Sequence, residues 1–213
     1  MANTATGYSP LEEALNIYSH LLGFVLSVLG TIFLVMKAVD GYSNAAFASA
    51  LVFGLSMLTL YLASTLYHRA VKPSLRAKLR VFDHCAIFIL IAGTYTPFAL
   101  LVLEPVTGWW IFGIIWSLAA IGITLKLFFT GRFKILSTSI YLFMGWLILF
   151  VGKSLMAALS PEAAFWLVAG GISYTVGAVL YAIKSLPLNH AVFHVFVLGG
   201  TACHFVSVYA YVL

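Results

Sequence analysis

The sequence predicts an all-α membrane protein of seven transmembrane helices, and three observations predict it. Hydrophobic residues make up 63% of the 213 positions and charged residues only 8%, with a mean hydropathy of +1.07. A water-soluble core of this size has no use for so much apolar surface. A span takes about 20 apolar residues, so seven spans consume most of the chain. What remains is one domain over residues 1–213 with short loops and an N-terminal segment, 1–14, before the membrane.

The third observation is where the positive charges sit. Arg69, Lys72, Arg76, Lys78 and Arg80 fill one connection, Lys126, Arg132 and Lys134 surround another, and Lys184 marks a third. The intervening connections carry Asp40, Glu104 and Glu162, with Lys153 as the exception. The positive-inside rule places the basic connections in the cytoplasm, so the N-terminus is expected inside and the C-terminus outside. The net charge of +5 is then a topology signal, and no nucleic acid is expected as a partner. Cys85 and Cys203 lie far apart within apolar segments, as buried free thiols do. No cleavable signal peptide is expected, the first span serving as its own insertion signal.

Taken in order, Ser9-Pro10-Leu11-Glu12 reads as a capping box with proline at the first helical position. Span one follows over roughly 15–37, with Glu13, Asn16 and His20 sharing a face near its start. Asp40 to Asn44 form a turn, and span two runs from about Ala45 to His68. Span three is expected to begin directly after Arg80, with Asp83 at its cytoplasmic end and Gly93 and Pro97 bending it. Trp109 and Trp110 anchor the start of span four, which reaches about Phe129. Spans five (roughly 136–155) and six (roughly 163–183) contain almost no polar side chains and read as scaffold. After the turn Ser185–Leu188, span seven runs from His190 to the C-terminus.

His68, Asp83, His190 and His194 therefore arrive at one membrane depth. His190 and His194, at i and i+4, occupy one helix face one turn apart. Three imidazoles with an open position describe a catalytic zinc site, in which bound water has a pKa near ~7. Asp83 is placed to orient a ligand or take the proton of water. Ser64, one turn before His68, can offer a hydroxyl to that water or to a substrate carbonyl. The plainer alternatives are interfacial polar histidines, Asp83 as a helix cap or partner of Arg80, and Ser64 as a helix-packing hydroxyl. Glu13, Asn16 and His20 are expected to hold span one against the site by hydrogen bonds rather than as ligands. His84 points away from Asp83, and His204 lies about 15 Å deeper than His194, at 1.5 Å per residue. Gly199-Gly200 is expected to permit close helix packing.

The pattern Glu13-x-x-Asn16-x-x-x-His20, Ser64-x-x-x-His68, Asp83 with Gly93 and Pro97, and His190-x-x-x-His194 resembles the progestin and adipoQ receptor family. The short chain is similar to its bacterial hemolysin III branch. The resemblance implies seven helices with the N-terminus inside, and zinc held near the cytoplasmic face by His68, His190 and His194. It places Asp83 and Ser64 beside the zinc-bound water. It further implies kinship with membrane metal-dependent hydrolases such as alkaline ceramidases, a role in membrane lipid homeostasis, and a location in the bacterial inner membrane. Two functions are therefore expected: a zinc-dependent hydrolase of a lipid amide or ester, with membrane lipids as partners, or a non-enzymatic lipid sensor or cytolysin whose zinc is structural. No polar stripe on spans four to six favours a pore formed by one chain.

Overall fold

The structure, a computed structural model, describes residues 8–41, 43–129, 134–183 and 185–213, and of 134–138 the backbone alone. Tyr42, the basic residues Arg132 and Lys184, the Lys134 side chain and the first seven residues of the N-terminal segment lie outside the described residues. The described chain is helical, with no strand among the described residues. Its helices are α1 (Pro10–Asp40), α2 (Asn44–Arg69), α3 (Pro73–Leu101), α4 (Pro105–Phe128), α5 (Lys134–Trp146), α6 (Ile148–Ala158), α7 (Pro161–Ala182) and α8 (Asn189–Ser207), and a π-helical turn, Val208–Val212, ends the chain. Seven spans are long and apolar enough to cross a membrane, with α5 and α6 forming one of them and α8 with its π turn another.

Four helix starts follow one rule. Proline is the first residue of α1, α3, α4 and α7, where its fixed φ suits the helix and its missing N–H costs nothing. Ser9 caps α1 by accepting from Glu12 N–H at 3.1 Å, as the sequence predicts. The same rule corrects the start of span three. Pro73 nucleates α3, so Arg76, Lys78 and Arg80 lie on helix and only residues 70–72 separate α2 from α3. Asp83 is consequently about three turns inside α3, at 3.6 residues per turn, and is not a helix cap. The helix runs unbroken through Gly93 and Pro97. Gly93 lets α2 approach, since a Cβ there would collide with the Ser56 side chain.

The helices turn their small and polar faces inward. In α1 the buried positions are Asn16, His20, Gly23, Ser27, Gly30, Leu34 and Ala38, a helical repeat whose small residues allow close backbone approach while larger apolar side chains face lipid. That stripe packs α1 on α2 and α8; α2 packs on α3, α3 on α4, and α7 on α8. Gly200 behaves as expected: a Cβ there would lie 2.8 Å from the Tyr174 ring.

Span five departs from a plain scaffold helix. The α-helix breaks at Leu147, where tighter bonds join Leu147 N–H to the Met144 carbonyl and Phe150 N–H to the Leu147 carbonyl. Tyr95 of α3 satisfies the break with its hydroxyl, donating to the Gly145 carbonyl at 3.2 Å and accepting from Ile148 N–H at 2.8 Å. A neighbouring side chain must do this where no water competes.

Candidate metal centre

The site forms where the end of α2 meets the start of α8. His68 occupies the last turn of α2, and His190 and His194 occupy the first turns of α8. The start of α8 is fixed from three directions. Leu188, before the helix, takes a left-handed conformation with φ 56°, and it alone among the described non-glycine residues has a positive φ. Asn189 donates its side-chain amide to the Tyr181 and Ile183 carbonyls at 2.9 and 3.3 Å. Glu12 reaches across from α1 to accept from His190 N–H at 3.2 Å. An acidic group is well placed at that helix N-terminus.

The three imidazoles converge through their Nε2 atoms. His68 Nε2 and His194 Nε2 each lie 3.1 Å from His190 Nε2, and one ligand atom from each residue falls within 4.8 Å of the others. All three side chains are buried. Their outer nitrogens decide what the inner ones present. His68 Nδ1 donates to Glu13 Oε2 at 3.0 Å, and a carboxylate can only accept. His194 Nδ1 donates to the Asn16 carbonyl at 3.3 Å, again an acceptor, with the Ser19 hydroxyl 3.4 Å away. Both rings therefore carry the proton on Nδ1 and turn an Nε2 lone pair toward His190.

Hydrogen bonding alone does not satisfy this arrangement. His190 Nε2 bears either one proton or one lone pair, so it serves at most one of its two neighbours. The remaining lone pairs face each other in a buried space, which is unfavourable. A cation accepts them all. Metal–imidazole bonds of about 2.0–2.1 Å in tetrahedral geometry set neighbouring nitrogens roughly 3.3 Å apart, within a few tenths of the observed spacing. The donor set fits a metal ion with three neutral nitrogen ligands.

The flanking side chains hold this cluster. His20 stacks on His194, the ring centroids 3.5 Å apart and 7° from parallel, and meets Tyr61 edge-on. Tyr8 covers the opposite side, its ring 5.0 Å from that of His190; burial raises its phenol well above the ordinary range, so Tyr8 is neutral. Glu13 thus supports the site by the expected side-chain hydrogen bond. Asn16 does so through its backbone carbonyl and His20 through ring stacking, the side-chain polar atoms of these two making no hydrogen bond among the described residues. All three stand outside the ligand cluster among the described residues. Asp83 also stands outside that cluster. Its carboxyl faces the buried Ser64 hydroxyl, which makes no hydrogen bond of ordinary geometry. The Asp83–Arg80 alternative fails among the described ion pairs, where the neighbour of Asp83 is His84 Nδ1 at 3.6 Å. His84 Nδ1 also donates to the Arg80 carbonyl at 2.6 Å. His204 donates to the Leu167 carbonyl at 3.0 Å, joining α8 to α7 far from the cluster.

A family model described as haemolysin-III related matches residues 8–205. The chain belongs to the haemolysin-III-related family. It is 44% identical over 200 residues to the Hemolysin-3 homolog of Bacillus subtilis, covering 94% of each chain. It is 44% identical over 202 residues to Hemolysin-3 of Bacillus cereus, covering 95% of this chain and 92% of that one. A more distant human relative, Monocyte to macrophage differentiation factor, is 26% identical over 212 residues, with 94% and 84% coverage.

Sequence reasoning overlooked Arg76, Glu12, Tyr8 and Ser19 at the centre of this family member. Its place in the sequence groups Arg76 with the other basic residues between spans two and three, yet it is 7% exposed. The available signal was Pro73, which starts a helix and so places Arg76 one turn inside it, beside the end of α2.

Proposed function

We propose that the three-histidine cluster holds zinc and that this chain is an intramembrane hydrolase of a lipid amide or ester, resembling ceramidases and serving membrane lipid homeostasis. The reading rests on one observation: three buried imidazoles aim at one point, and two of them are locked by their outer hydrogen bonds with the Nε2 lone pair inward. Zinc bound there would supply Lewis-acid activation of water and of the scissile carbonyl. The chain's own groups do the rest. His68, His190 and His194 hold the metal and leave a position open. Asp83 accepts a proton from the attacking water and returns it to the departing amine or alcohol. Ser64, whose buried hydroxyl faces the Asp83 carboxyl, donates to the carbonyl oxygen as negative charge develops there. The protein works in the bacterial inner membrane with its N-terminus in the cytoplasm, the side on which most basic residues fall.

The names of the two Bacillus relatives favour a second reading, a non-enzymatic membrane protein with structural zinc that lyses or senses membranes. Detergent-purified protein separates the two. The hydrolase reading expects one zinc per chain by elemental analysis, lost in His190→Ala and kept in Asp83→Ala, with lipid hydrolysis lost in both. Zinc bound in the wild type, no turnover of any amide or ester lipid, and dye release from vesicles would establish the second reading instead.

A further inference from the structure

Arg76 holds His68 directly at its backbone carbonyl and through Glu13 at its ring. Its Nη1 donates to the carbonyls of Tyr67, His68 and Ala70 at 3.3, 3.1 and 3.2 Å, and its guanidinium carbon lies 4.6 Å from the centre of the Tyr67 ring. Its Nη2 pairs with Glu13 Oε1 at 2.5 Å, while the other oxygen of Glu13 accepts from His68 Nδ1. One guanidinium therefore closes a ring through the His68 backbone and, by way of Glu13, the His68 imidazole.

Each part of this arrangement has a physical reason. The last carbonyls of α2 have no partner within their own helix, and a cation at a helix C-terminus is favoured by the dipole. A guanidinium serves several acceptors in one plane, which an ammonium cannot do. Three elements meet on it: α1 through Glu13, α2 through its terminal carbonyls, and α3, which carries Arg76. Lys72, Lys78 and Arg80 lie nearby in sequence and do not take this buried place; of these four cations Arg76 is the one that engages Glu13 among the described ion pairs.

We propose that Arg76 is a positioning residue of the metal centre. It pins the Glu13 carboxylate against His68, so that Nδ1 stays the donor and the Nε2 lone pair stays aimed at the metal. The inference rests on the metal-binding reading above and adds to it a residue that touches no metal. Without the guanidinium, Glu13 loses one of its two anchors and can swing toward solvent, and His68 is then free to take the other tautomer or rotate.

The test is a double-mutant cycle read as zinc affinity, using detergent-purified full-length protein and competition with a chromophoric chelator. The variants are Arg76→Lys, Arg76→Gln, Glu13→Gln and the Glu13→Gln/Arg76→Lys pair, each also followed by thermal unfolding. Losing an outer partner of a metal-ligating histidine typically costs roughly 10–100-fold in affinity, and Arg76→Gln is expected in that range. Arg76→Lys is expected to fall short of wild type, because an ammonium reaches Glu13 or the carbonyls and not both. Since Arg76 acts through Glu13, Arg76→Lys should change affinity by less than about threefold in the Glu13→Gln background. A loss of equal size in both backgrounds means that Arg76 only stabilises the fold, and overturns the proposal, as does wild-type affinity in Arg76→Lys and Arg76→Gln. If Arg76→Gln does not fold, the lysine variant carries the cycle alone. No zinc in the wild type would overturn the metal reading itself, whereas zinc in the wild type with an additive cycle would overturn only the role of Arg76.

Discussion

The three-histidine cluster depends on single side chains set in unusual positions. Leu188 holds φ 56° at the entry to α8, where an L-residue pays about 1–2 kcal/mol and a β-branched one is worse still. Leu188→Val is expected to lower stability by about 1–2 kcal/mol relative to Leu188→Gly, which should remain near wild type. Thermal unfolding of the two variants, with zinc content measured beside it, tests this; equal melting would mean that packing of the side chain outweighs the backbone. At the opposite membrane face, Glu104 caps α4 by accepting from Thr107 and Val106 N–H at 3.1 Å each. Those bonds hold its carboxyl below the usual range. A depressed folded pKa stabilises above the unfolded value and is lost as pH falls through the folded one. Glu104→Ala should therefore melt earlier than wild type at pH 7, and the gap should close at strongly acidic pH. A gap unchanged by acid would assign the effect to something other than the charged cap.

Among the elements, α3 carries the most tasks. It bears Arg76 beside the site, Asp83 facing Ser64, Gly93 against α2, and Tyr95 at the break between α5 and α6. Tyr95→Phe removes one hydroxyl and strands two backbone groups, Gly145 C=O and Ile148 N–H, in a span without water. The expected cost is about 1–2 kcal/mol, measured by unfolding in mixed detergent, while zinc content stays at wild type because the break lies away from the centre. An unchanged unfolding midpoint would show that span five straightens or finds other partners. The inward stripe of α1 explains why this helix, apolar overall, has a defined register. Asn16, His20 and Gly23 place its N-terminal half against Tyr61 and His194, so the support for the three-histidine cluster and the helix packing are one surface.

At the scale of the whole molecule, the centre ties together the start of α1, the end of α2, the start of α3 and the start of α8. These four ends lie on one face only if an odd number of crossings separates the first span from the last, which requires α5 and α6 to count as one. Cysteine labelling tests the proposed orientation: Lys78→Cys should react from the cytoplasmic side and Glu162→Cys from the outside, and the reverse pattern would invert the topology. Zinc should also act as a staple. A ligand at 1,000 times its dissociation constant stabilises by about 4.1 kcal/mol, so chelation should lower the melting temperature of the wild type and leave His194→Ala unmoved. Equal melting with and without chelator would mean that the helix ends hold together without metal.

Much of this was written in the chain order. The seven spans follow from the length and spacing of apolar runs, because lipid leaves helices as the simplest way to satisfy a buried backbone. The convergence of His68, His190 and His194 follows from counting crossings and from the i, i+4 repeat of α8. That Glu13, Asn16 and His20 face the site follows from their shared helix face, whereas the stacking of His20 and the use of the Asn16 backbone do not. The tertiary structure decided what depends on distance between segments that sequence leaves independent. It showed that Arg76 is buried rather than one of several loop charges, that Glu12 caps α8, that Tyr8 closes over His190, and that span five breaks where Tyr95 meets it. Sequence periodicity reports which face a residue occupies and at what depth. Which side chain on another helix waits at that face is set by packing, and only the assembled fold specifies it.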